Sequence, residues 1–214
     1  MKLKMFVLFS VFGSFYADSS DLDILKKDLL EFEPLLPKTS IALLFMTHLL
    51  FDKDFRRARN FIGSSGSIGH AMRILRTDSF KDLADELKGN GIDILDIIKA
   101  LMEKPIFPLS LENFEEAEID IQLFTTNEFI DEVIAALPRE KIAKLMQHKI
   151  NTSPTFMKYF NAAKNPSVNN RIEAILSDSK LKKTFETFML NDIDVRYIYS
   201  RLKFIISWAA PSIF

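Results

Sequence analysis

The sequence predicts an all-α fold made of two tandem copies of one unit of about six short helices. Three observations predict it. The chain matches itself without a gap at an offset of 101 residues, so that Leu36, Pro37, Ile41, Leu44, Phe55, Ile92, Asp93 and Leu101 fall on Leu137, Pro138, Ile142, Leu145, Phe156, Ile193, Asp194 and Leu202. Most matched residues are apolar and recur at the three- and four-residue steps of one helix face. No stretch alternates apolar and polar residues as a half-buried strand does.

Helix starts read most clearly in the second copy. Leu137-Pro138, Ser153-Pro154 and Asn165-Pro166 each put proline at a first helical position, where its missing N–H is no loss, and Ser153 and Asn165 offer cap oxygens. Carried back by 101 residues, they predict starts near Pro37, Lys53 and Ser65. Asn127, Asp178 and Asp194 read as further caps. Ile41, Leu44, Phe45 and Leu49 form one apolar face, repeated as Ile142, Leu145, Met146 and Ile150. Phe80, Leu83, Ala84 and Leu87 return as Leu181, Thr184, Phe185 and Phe188; Ile94, Ile97, Ile98 and Leu101 return as Val195, Ile198, Tyr199 and Leu202. Gly89 and Gly91 close a helix in the first copy, and Asn191 and Asp192 take that turn in the second. The run Gly63 to Gly69 breaks the repeat and reads as a flexible helix-to-helix turn; a phosphate cradle needs a preceding strand and a Lys followed by Ser or Thr, and here His70-Ala71 follows.

Lys2 and Lys4, the apolar run Met5 to Tyr16 and the polar stretch after it have a secretory signal layout, with a cut expected after Ala17 and an alternative after Gly13. The expected organisation is residues 1–17 as signal peptide, 21–104 as the first copy, 105–120 as linker and 121–208 as the second copy, both copies in one globular unit. Without the signal the chain carries 26 basic and 29 acidic groups, near −3, spread evenly over both copies. This balance leaves no electrostatic footprint for nucleic acid. There is no cysteine, so a chain entering an oxidising compartment must hold together by packing alone.

Catalytic and metal signals are missing from the sequence. His48, His70 and His148 lie in no zinc-ligand spacing, and there is no Gly-x-Ser-x-Gly elbow. Hence no catalytic residue, metal or cofactor is assigned. Asp78, Asp82, Asp85 and Glu86 read as a solvated stripe, since Phe80, Leu83 and Leu87 take the dry side. Lys180, Lys182, Lys183, Arg196, Arg201 and Lys203 gather near the apolar tail Phe204 to Ile213; this is a solvated helix face or, in a second reading, a contact with an anionic membrane surface. The triplet Asn151-Thr152-Ser153 fits a glycosylation site, but Pro154 follows it. Phenylalanine dominates the aromatics, 20 against 4 Tyr and 1 Trp, so most rings have no polar handle. Such a lining suits a pocket for apolar ligands as well as it suits a filled core.

The signal layout, the paired copies, Leu-Pro-Lys/Arg at positions 36 and 137, and Gly-Ile-Asp-Ile and Asp-Ile-Asp-Val at positions 91 and 192 together resemble the insect allergen-related repeat family. That family includes group 1 cockroach allergens, midgut microvillar proteins and nitrile-specifier proteins. The resemblance runs from about Asp21 to Trp208, and the paired arrangement carries it; the Gly63–Gly69 run and the sparse prolines of the first copy depart from it. It implies an all-α capsule around a large apolar cavity that binds fatty acids or phospholipids, in a protein secreted into the gut lumen or onto its microvillar surface. The lining it implies is Ile41, Leu44, Phe45, Leu49, Phe80, Leu83, Leu87, Ile94, Ile98 and Leu101 in the first copy. In the second it is Ile142, Leu145, Met146, Ile150, Leu181, Phe185, Phe188, Ile198 and Leu202. Nitrile-specifier-like detoxification and a membrane-active surface role are the alternatives that the resemblance offers.

Overall fold

The computed structural model describes residues 20–62, 64–102 and 125–209. The expected signal peptide and linker, and the surroundings of Leu101, lie outside the described residues. Within them the chain is all-α, with no strand. The first copy supplies α1 (Ser20–Leu30), α2 (Lys38–Phe51), α3 (Lys53–Ile62), α4 (Ser65–Leu75), α5 (Asp78–Gly89) and α6 (Ile94–Met102). The second supplies α7 (Thr126–Ala136), α8 (Arg139–Thr152), α9 (Pro154–Lys164), α10 (Pro166–Leu176), α11 (Lys182–Leu190) and α12 (Val195–Ser207), with short 3-10 turns at Glu33–Leu35 and Ser179–Leu181. Shifted by 101 residues, α2 and α4 coincide with α8 and α10 at both ends.

The ends follow from local chemistry. Pro154 and Pro166 open α9 and α10, capped by Ser153 and Asn165. Pro138 sits one place earlier than expected, in the cap position of α8, as Pro37 does for α2. Helix α7 starts ahead of the expected Asn127 cap, because Thr125 and Glu128 form a reciprocal capping box. The turn between α3 and α4 is also shorter than expected. Ser64 accepts from the Ser67 amide, so Gly66 and Gly69 belong to the first turns of α4 and not to a loop. At the end of α5, Gly91 has φ +74°, and its repeat mate Asp192 takes φ +56°. Most side chains pay strain for that left-handed geometry, and glycine and aspartate pay least.

The copies interlock. Helix α2 packs on α7, α3 on α7, α1 on α9 and α5 on α10, each pair crossing from one copy to the other. One core cluster gathers Ile41, Phe45, Leu49 and Phe55 with Phe129, Ile142, Met146 and Phe156; a second joins Phe80, Leu83 and Leu87 to Val168, Ile175 and Leu181. The repeat mates Ile41 and Ile142 are both fully buried. Deleting such a side chain costs about 2–5 kcal/mol. Because both sit in one cluster, Ile41→Ala and Ile142→Ala are each expected to lower the urea midpoint of a single unfolding transition followed by circular dichroism. A second transition in either variant would show that the copies unfold separately.

Candidate functional site

The interior is organised around two buried nitrogen-bearing side chains at one repeat position, a histidine and a lysine. His48 on α2 and Lys149 on α8 are 101 residues apart, and each reaches acidic groups on the first helix of the other copy. His48 Nδ1 lies 3.1 Å from Asp52 Oδ2 and its Nε2 lies 3.0 Å from Glu132 Oε2 on α7. The ring is 1% exposed and sits among Phe55 and Phe129. Lys149 Nζ donates to Asp28 Oδ1 at 2.8 Å and lies 2.7 Å from Glu31 Oε1, both carboxylates on or just after α1. Glu31 and Glu132 are themselves repeat mates. The second carboxylate has changed place between the copies: Asp52 becomes Ser153, and Phe129 takes the position equivalent to Asp28. Ser153 donates to Asp28 Oδ2 at 2.6 Å, which closes the second cluster.

Asp52 and Ser153 have a further duty as helix caps. Asp52 Oδ1 accepts from the amides of Asp54 and Phe55, and Ser153 Oγ accepts from Phe156. A change at Ser153 therefore disturbs a helix start and a cross-copy link together, and a change at Asp52 disturbs a helix start and the partner of His48. Burial opposes the charge on Lys149, but hydrogen bonds and attraction from Asp28 and Glu31 outweigh it and hold the ammonium above the ordinary lysine value. Both clusters read as structural: His48 and Lys149 already have their partners, and no group of three or more metal-binding side chains occurs among the described residues.

The expected lining residues fall into two sets. Ile41, Phe45, Leu49, Ile142 and Met146 are buried in the first cluster, with Leu44, Leu145, Ile150 and Ile198 half-buried against it. Phe80, Leu83, Leu87 and Leu181 are buried in the second, with Ile94, Ile98 and Phe185 half-buried beside them. Phe188 and Leu202 are half-buried. Helix α12 packs on α7, α9 and α11, yet none of its residues is fully buried. Helix α2 has a second apolar stripe, Leu43, Met46 and Leu50, left exposed with the neighbouring Phe51, where α8 carries Lys144, Gln147, Asn151 and Thr152.

Of the expected basic patch, Arg196 is tied to Glu173 and the Leu176 carbonyl, and Arg201 to Asp131. Lys180, Lys182 and Lys183 stay exposed. The acidic stripe Asp78, Asp82 and Asp85 is exposed, as a solvated face should be, with Glu86 half-buried. Hydrogen bonds from Lys81 and Lys180 hold the Asp78 carboxyl below the usual carboxylate range. No single helix among the described residues is long and apolar enough to cross a membrane.

Removing one partner of a buried pair costs about 3–5 kcal/mol. Lys149→Ala is therefore expected to lose that much stability in urea, and Lys149→Ala/Asp28→Asn less than the sum of its single changes. The pH dependence has a definite sign. A cation held above its ordinary value contributes fully below about pH 10.4 and loses that contribution as pH rises through the folded value. The stability advantage of the natural chain over Lys149→Met, followed by thermal melts, should narrow above that pH.

A family model described as insect allergen related repeat, nitrile-specifier detoxification matches residues 24–199. No curated protein matches the chain.

Proposed function

Because the chain belongs to the insect allergen related repeat family, we propose that it is a secreted, non-catalytic carrier that binds fatty acids or phospholipids between its two copies. Its proposed place of action is the gut lumen or the microvillar surface. The observation that carries the reading is apolar surface left uncovered on faces that helical spacing turns inward. Ile94, Ile98, Ile198 and Leu202 are only half-buried, and α12 buries no residue although three helices pack on it. A filled interior is close-packed and would bury such a stripe. Apolar side chains that solvent can reach, with few polar groups among them, suit an acyl chain whose binding rests on burial and shape. The structural role of both ion clusters agrees with a carrier, since it leaves their charges engaged in holding the copies together.

The family description also names nitrile-specifier detoxification, and this second reading requires that nitriles form. Adding the protein to myrosinase and a glucosinolate raises nitrile above the enzyme-only control if it holds; unchanged products remove it.

A ligand that binds only the folded state stabilises it by about 2.7 kcal/mol at 100 times its dissociation constant. Stripping the protein with organic solvent is expected to lower its melting temperature, and oleate is expected to restore it. A melt that neither step moves contradicts the carrier reading.

A further inference from the structure

Since the copies repeat in register, cross-copy contacts come in mates, and the mate of the α5–α10 contact is much weaker than its counterpart. Helix α5 lies along α10, burying Phe80 and Leu83 against Val168 and Ile175. The 101-residue shift turns that pair into α4 against α11. There α4 buries no residue and α11 buries only Thr184. The sequence explains the difference: Val168 is replaced by Ser67 and Leu83 by Thr184, so two branched apolar contacts become small hydroxyls. What joins the seam is a contact of 3.3 Å between His70 Nδ1 and Thr184 Oγ1, with the rings of Phe61 and His70 against Phe188. A side chain added at Gly69 on α4 would meet open space.

The open seam differs from the closed one in charge and in surface. Residues 65–76 and 179–190 carry Arg73, Arg76, Lys180, Lys182 and Lys183 against one acid, Glu186. The closed seam, 78–89 and 166–177, carries five acids against three cations. Ile68, Met189 and Leu190 stand exposed at the open seam, Leu190 at 74%. On the other flank of α11 an open groove of about 860 Å³ runs past Leu176, Phe185 and Met189, with Lys182 at its edge. The repeat mates of Met189 and Leu190 are Lys88 and Gly89, so the apolar tip belongs to the open seam alone.

We propose that the α4–α11 seam is the face by which this protein docks on an anionic lipid surface. Isolated apolar tips among long basic side chains suit the boundary between headgroups and acyl chains: Leu190, Met189 and Ile68 enter it while the cations meet lipid phosphates. Gly69 and Arg73 on α4 and Arg76 at its C-terminal cap share one stripe. The cations are available for this exchange: Lys182 holds Glu186 only at 3.9 Å on the surface, whereas Lys180 is already shared with Asp78 and is left out of the docking set. The proposal rests on the carrier reading for its purpose, since a seam with little apolar packing beside the lipid surface is where a ligand would enter.

The test is flotation of the full chain with vesicles of phosphatidylcholine alone or with 30% phosphatidylglycerol added. The docking face predicts binding to the anionic vesicles only, weakened by salt. It also predicts at least tenfold weaker binding for Arg73→Gln/Lys182→Gln/Lys183→Gln, a loss for Leu190→Ser, and no change for Lys81→Gln/Lys88→Gln on the closed seam. All changed residues are exposed, and matching melting curves confirm folding. Failure of the natural chain to bind anionic vesicles, or equal binding by the triple variant, overturns the proposal. Uptake of a fluorescent fatty acid from solution, measured on the same samples, separates the two ideas. Uptake without vesicle binding removes the docking face and keeps the carrier; vesicle binding without uptake removes the carrier and keeps the face.

Discussion

A buried lysine and a buried histidine at one repeat position, each bonded to a carboxylate of the opposite copy, are the constraint on which the rest of the fold depends. A charge taken out of water is costly unless paired and hydrogen-bonded. Lys149 has its carboxylate partners on the other copy's first helical segment, and His48 has one of its two there. Helices α1 and α7 are thereby held across the chain's midpoint, with apolar residues of both helices packed in one core cluster. This suits a chain without disulfides, where packing and buried polar links must supply all the order. The change of Asp52 to Ser153, with Asp28 in the place equivalent to Phe129, keeps a second carboxylate in each cluster by a different route.

A fold tied at these points does not need every helix face covered. The ion clusters and the α5–α10 contact secure one part of the molecule, while α4, α11 and α12 leave their apolar residues half-covered or exposed. That division is the physical basis of the carrier reading. On that reading, stability comes from the places where the copies interlock, and binding surface from the places where they do not. Relaxed packing at the α4–α11 seam adds a basic, apolar-tipped face that a filled bundle would not present.

Much of the fold was legible in the sequence because it is written twice. Proline and cap signals in the second copy placed the first-copy helices, even where Lys53 and Ser65 replaced proline. The start of α7 was legible too, since Thr125 to Glu128 is a capping-box spacing, but the Asn127 cap was read in its place. The ion clusters were harder to see. His48 and Lys149 share a repeat position, as Glu31 and Glu132 do, yet helical periodicity says which face is inward and not which helix it meets. The same limit applies to the expected lining residues. Spacing put Ile41 and Ile198 alike on inward faces, and only the packing of neighbouring helices makes one fully buried and the other half-covered.

Native-state amide hydrogen exchange on the natural chain and on Lys149→Ala tests the central claim most directly. If cross-copy ion clusters tie the fold together, the substitution on α8 speeds exchange in α1 and α2 of the first copy by the same factor as in α8 and α9 of the second. Faster exchange confined to the second copy would contradict the account.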